Sequence, residues 1–197
     1  MAALVGMFSK QAVDKLRELF DSLFRTGPGG GDELRADKLK PNQMVEKVMI
    51  PRSKIVAVVI PDGQTAQDVR ILALHERLGG VVTRVPVFRA DDSLLCVVHQ
   101  SLIFKYLADA GIRAAKSDQP FATGTRTLAD LLAAEGMQAL VQDAVAWVAR
   151  GTLLSDAKER MEATRGCQDV FVTEHGRPDE PVLGWLTDAE LRRAAQV

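Results

Sequence analysis

The chain has 197 residues, 47% of them hydrophobic, and a formal net charge of -1. It can therefore bury a core without disulfide staples, and it has no charge excess to favour nucleic acid or an anionic membrane surface. Two cysteines without CxxC spacing and the absence of a basic start followed by an apolar run point to a reducing cytoplasm, and no apolar stretch approaches the ~20 residues that cross a bilayer.

From Phe8 to Phe24 the residues Val13, Leu16, Leu19, Phe20, Leu23 and Phe24 recur at helical spacing opposite Lys10, Asp14, Arg17 and Glu18, which predicts an amphipathic helix. The Gly27-Pro28-Gly29-Gly30-Gly31 run after it cannot hold a helix, so residues 1–43 read as a helix on a flexible tether. Such a helix covers an apolar patch, pairs with a second copy, or docks on a partner or a membrane surface.

Residues 44–110 form the first block. A β-rich run from Ile55 to Ile60 and a turn at Pro61-Asp62-Gly63 precede a predicted helix. Thr65 is placed to cap that helix, Asp68 to lie in its first turn, and Val69, Leu72, Ala73 and Leu74 to form its apolar face up to Gly79-Gly80. Strands follow over Val81 to Phe88 and Leu94 to Val98, then a helix from about Ser101 to Ala110. The connector, residues 111–142, has a helical piece with Thr127 as N-cap and Leu128, Leu131 and Leu132 on one face, and is expected to pack on the outside.

The second block, residues 143–197, repeats the order: strand Val145 to Ala149, helix Leu154 to Ala163 capped by Ser155 or Thr152, strands Asp169 to Thr173 and Pro181 to Leu186, and helix Asp188 to Ala195. Asp68 and Asp156, Val69 and Ala157, Cys96 and Gly184, and His99 and Thr187 all stand 88 positions apart, the mark of an internal duplication. Two half-domains of one ancestry bury their cores against each other, and the cleft between them is a natural small-ligand site. The predicted fold class is therefore α+β (α/β), two β-α-β-β-α modules packed as a pseudo-two-fold pair.

Three stretches carry a family resemblance: the lead-in Val48-Met49-Ile50-Pro51-Arg52-Ser53, the strand Thr83-Arg84-Val85-Pro86-Val87, and the ending Gly184-Trp185-Leu186-Thr187-Asp188-Ala189-Glu190-Leu191. Over about residues 44–195 the chain resembles tandem CBS domains (Bateman modules). The first two stretches are similar to the CBS pair of the CorC-type magnesium and cobalt efflux family. That resemblance implies a regulatory module without catalytic activity, binding AMP, ADP, ATP (with or without Mg) or S-adenosylmethionine between the modules. It also implies a homodimer through the CBS helices and a protein partner to be regulated.

By the same resemblance Thr187 and Glu190 take the positions that grip a ribose, although the family has Asp where this chain has Glu190. Ile50, Ile55, Val82, Thr83, Arg84 and Val85 would complete that cleft, with Arg84 or Arg52 supplying charge to a phosphate. The residues also allow plainer roles. Thr187 and Glu190 match a capping box, and either arginine suits a salt bridge. In the opposite cleft His99 and Leu102 replace the hydroxyl and carboxylate, so it is expected to be empty or repurposed. His75 and His175 lack metal-spaced companions, and no acid–base or nucleophile constellation stands out.

Overall fold

The computed structural model describes residues 43–79, 82–118 and 120–195, with side chains as far as Leu191. The amphipathic helix and Gly-rich tether expected in residues 1–43 lie, but for the last residue, outside the described residues.

The first half contributes β1 (Ile50–Pro51), β2 (Val58–Val59), α1 (Ile71–Arg77), β3 (Arg84–Phe88), β4 (Leu94–His99) and α2 (Gln100–Lys116). The connector forms α3 (Leu128–Ala133). The second half contributes β5 (Val145–Ala149), α4 (Leu154–Ala163), β6 (Asp169–Thr173), β7 (Gly184–Thr187) and α5 (Asp188–Ala195). Both halves build the same unit, a strand and crossover helix followed by an antiparallel pair. β2 runs parallel to β3 and β3 antiparallel to β4, while β5 runs parallel to β6 and β6 antiparallel to β7. β1 leaves its own half and pairs antiparallel with β7, Ile50 opposite Trp185.

The central strands β3 and β6 are Val-rich and almost wholly buried, as expected of strands covered on both faces. Alternation along β3 sends Val85 and Val87 into the core of the first half, with Ile71, Leu74 and Ile103. Phe88 points the other way and joins Phe171, Trp185, Val97 and Ile55 in a core shared by the two sheets.

The lead-in segments are exchanged. Ahead of the first half, Val45 N–H donates to Thr152 O (3.0 Å) and Leu154 N–H to Gln43 O (2.8 Å), at the start of α4. Ahead of the second half, Ile71 N–H donates to Arg126 O (3.0 Å) and Leu128 N–H to Val69 O (2.8 Å), at the start of α1. This backbone pairing satisfies N–H groups that helix starts leave open, so α1 and α4 begin without a side-chain cap, contrary to the caps expected from Thr65, Ser155 or Thr152.

Other expectations are corrected in the same region. Thr65 and Asp68 do bond each other, Thr65 N–H to Asp68 Oδ2 at 2.8 Å, but they close an isolated turn ahead of α1. The buried face of α1 is Ile71 and Leu74, whereas Leu72 is 43% exposed and Ala73 is exposed. Asp68 and Asp156 are therefore not equivalent, because Asp156 lies inside α4. The 88-residue spacing is sound at the last strands: Cys96 sits opposite Val87 as Gly184 sits opposite Val172, and His99 opposite Arg84 as Thr187 opposite Asp169. α2 runs to Lys116, past the expected end at Ala110. The connector does not pack on the outside: Leu128, Leu131, Met137 and Val141 are buried in the core of the first half.

Candidate functional site

Because β1 crosses to β7, the lead-in of the first half lies beside the point where the last strand of the second half turns into α5. A cavity of 580 Å³ opens there. Ile50 and Ile55 line it from the lead-in, Val82, Thr83 and Arg84 from the start of β3, and Thr187 and Glu190 from the β7–α5 junction. Seven of the eight residues named from the sequence thus come together. Val85 does not, because strand alternation sends it into the first core, where it is fully buried.

Thr187 and Glu190 bond each other. The Thr187 hydroxyl is hydrogen-bonded to Glu190 Oε2, Thr187 N–H donates to the same oxygen (3.3 Å), and Ala189 N–H donates to Thr187 Oγ1 (3.2 Å). This is a capping box on α5 whose oxygens also line the cavity. At the equivalent place in the first half, His99 Nδ1 accepts from Ser101 N–H (3.2 Å), and Leu102 packs against the core.

Arg84 is held by its own protein. Its Nη1 lies 2.9 Å from Asp169 Oδ1, and its Nη2 lies 2.7 Å from Gln168 Oε1 and 3.7 Å from Asp188 Oδ1. Trp185 Nε1 also donates to Asp169 Oδ1 (3.0 Å). Burial pushes the Asp169 carboxyl above its ordinary range, against the pull of Arg84. Burial together with the Arg84 charge holds His99 below its ordinary value.

Arg52 does not line the cavity. Its Nη2 donates to Asp92 Oδ1 at 2.6 Å, and its guanidinium lies 4.1 Å from the Phe88 ring centroid. The cavity's other cation is Lys54, which sequence reasoning missed. Trp185 also lines the cavity: the sequence allows it to stack on a base but makes core packing the default for a strand tryptophan, and period-2 alternation places it on the strand face that carries Thr187. Its ring stacks on Phe171 with centroids 5.8 Å apart.

Cys96 is fully buried on β4 and packs as core, and burial pushes its thiol up to about 12. Among the described residues no cluster of His, Cys, Asp or Glu could hold a metal ion, and no helix is long and apolar enough to cross a membrane.

Two modules of one topology, sharing a core and exchanging lead-ins, define a tandem β-α-β-β-α pair. No family model matches the sequence, and no curated protein does. Among solved structures, CBSX2 in complex with AMP is similar with a TM-score of 0.50 and 20% identity, over 78% of this chain and 96% of that one. The CBS domain of the bacterial CNNM/CorC family Mg2+ transporter is similar with a TM-score of 0.51 and 16% identity, over 94% of each chain. The fold of this chain is that of a tandem CBS pair.

Proposed function

We propose that the chain is a regulatory CBS pair that binds an adenine nucleotide in the cavity beside Thr187 and Glu190 and passes the bound state to a protein partner. The observation that carries this reading is the 580 Å³ cavity at the seam of the two modules. Its volume falls within the roughly 300–1,000 Å³ of small-ligand pockets. Ile50, Ile55, Val82 and Trp185 offer apolar surface to a purine. Thr187 and Glu190 offer oxygens to ribose hydroxyls, and Lys54 offers charge to a phosphate. The AMP complex of CBSX2, a protein of the same fold, supports the ligand class.

AMP, ADP, ATP with or without Mg, and S-adenosylmethionine are the ligands to test. A melting panel decides among them, because a ligand at about 100 times its dissociation constant stabilises by about 2.7 kcal/mol. A shift with one of them supports nucleotide sensing, and folded protein that shifts with none rejects it. A cytoplasmic homodimer through the helices fits the exposed Leu72, Phe104 and Ile112 on α1 and α2.

The second reading is a structural or dimerisation module without ligand. Two observations favour it: Thr187 and Glu190 already satisfy each other, and Arg84 is engaged by two carboxylates. It predicts that Thr187→Ala leaves partner binding unchanged. An accessory role in divalent-cation efflux rests on motif and fold similarity alone, and normal magnesium and cobalt tolerance after gene disruption would count against it.

A further inference from the structure

Away from the seam, a cavity of 300 Å³ lies between the C-terminal part of α2 and the connector helix α3. Tyr106, Arg113, Ser117, Arg126 and Asp130 line it, with small residues filling the remainder. Its two guanidiniums come from different segments. Arg113 lies in the last turn of α2, where a cation complements the helix dipole. That accounts for Arg113 but not for Arg126, which stands in the connector just before α3.

Arg126 is fixed in place by backbone and ring contacts. Its N–H donates to Thr123 O (3.2 Å), its carbonyl accepts from Ile71 N–H (3.0 Å), and its guanidinium lies 5.1 Å from the Phe121 ring centroid. Its Nε is sealed from solvent without a partner. Among the described residues neither Arg113 nor Arg126 forms an ion pair.

The nearby carboxylates are committed elsewhere, and the Tyr106 hydroxyl is hydrogen-bonded to Arg126. Asp109 takes Lys105 at 2.7 Å. Asp130 Oδ2 accepts from both the N–H (2.9 Å) and the hydroxyl (3.0 Å) of Thr127, closing the capping box of α3. Ser117 turns its hydroxyl back onto Arg113 O (2.9 Å), which covers one of the last carbonyls of α2. The exposed Arg113 and the half-buried Arg126 thus face one engaged carboxylate. A guanidinium fork matches an oxyanion in a bidentate fashion, and the one sealed Nε–H of Arg126 is costly while it lacks an acceptor.

We propose that this cavity is a phosphoryl site of the first module, taking the phosphate group of a small molecule between Arg113 and Arg126. At 300 Å³ it has about half the volume of the seam cavity, so it suits inorganic phosphate or a short phosphomonoester rather than a nucleotide.

Tyr106 is the chain's only tyrosine and stands 3% exposed on the cavity wall, which makes it a built-in reporter. The test follows phenolate absorbance during alkaline titration in chloride, phosphate and acetate at equal ionic strength, with circular dichroism to confirm that the protein stays folded. A bound anion opposes a second negative charge, so wild type should ionise about half a pH unit higher in phosphate than in chloride, and acetate should match chloride. Arg113→Gln should lose the difference. Arg165→Gln, an exposed arginine of the second half, should keep it. At neutral pH the same contrast should appear as a phosphate-dependent rise in melting temperature that Arg113→Gln lacks. No phosphate effect in wild type, an effect that survives Arg113→Gln, or an equal effect in acetate would each overturn the assignment.

Discussion

The two junctions at which a module's last strand becomes its last helix occupy equivalent places and carry different chemistry. At the second junction Thr187 and Glu190 cap α5 and keep their oxygens on a cavity wall. At the first, His99 caps α2 and the half-buried Leu102 packs against the core. Both arrangements satisfy N–H groups at a helix start, so helix initiation does not require the hydroxyl and carboxylate pair. The duplicated scaffold preserves geometry at this place and leaves the side chains to diverge, which makes the two halves structurally alike and chemically unequal.

The comparison breaks most visibly where the connector feeds the first core. Leu131→Ala should destabilise the protein by about 2–5 kcal/mol, read from urea unfolding, because Leu131 is fully buried. A loss under about 0.5 kcal/mol, usual for surface substitutions, would return the connector to the outside. Arg84 and Asp169 open the equivalent strands β3 and β6, opposite His99 and Thr187, and they pair with each other. Arg84→Met, which leaves Asp169 without its guanidinium, should cost about 3 kcal/mol in the same measurement.

At the junctions themselves the expected effects are smaller. Thr187→Ala and Glu190→Ala should each lower stability by about 1 kcal/mol through the lost cap, and His99→Ala by a similar amount. Only the first two should also weaken nucleotide binding; an equal loss from His99→Ala would erase the asymmetry.

The smallest effect concerns the loop before β7. Burial pulls the Glu180 carboxyl upward, but hydrogen bonds from the His175 backbone and ring, Thr173 and Arg177 outweigh it and hold the pKa at about 2, below the ordinary 4.5. A depressed acid contributes stability that is present above its unfolded pKa and lost as pH falls toward the folded one. The melting temperature of Glu180→Gln should therefore fall less than that of wild type between about pH 5 and about pH 2. Parallel acid profiles would show that the network contributes nothing.

The second half was the more legible in sequence because its signals are local. Val145–Ala149 and Asp169–Thr173 are short apolar runs bounded by turn residues, and α4 falls where its spacing placed it. The start of α1 was misread because the capping signature of Thr65 and Asp68 is genuine but belongs to an isolated turn, and pairing with the connector decides where the helix begins. The apolar face of Leu128 and Leu131 was legible, yet its destination was not, since that depends on a contact with Val69 far back in the chain. In the seam cavity, Thr187, Glu190 and the lead-in residues came from motif resemblance. The Arg84–Asp169 pair stayed hidden because its partners are 85 positions apart and meet only when the modules pack.

Counting bound nucleotide per chain, by equilibrium dialysis at saturating concentration of whichever adenine ligand shifts the melting temperature, bears most directly on the inequality of the two clefts. One molecule per chain in wild type, and none retained by a Thr187→Ala, Glu190→Ala double variant that remains folded, is the predicted result. Two per chain, or one that the double variant still holds, would contradict the placement of the site.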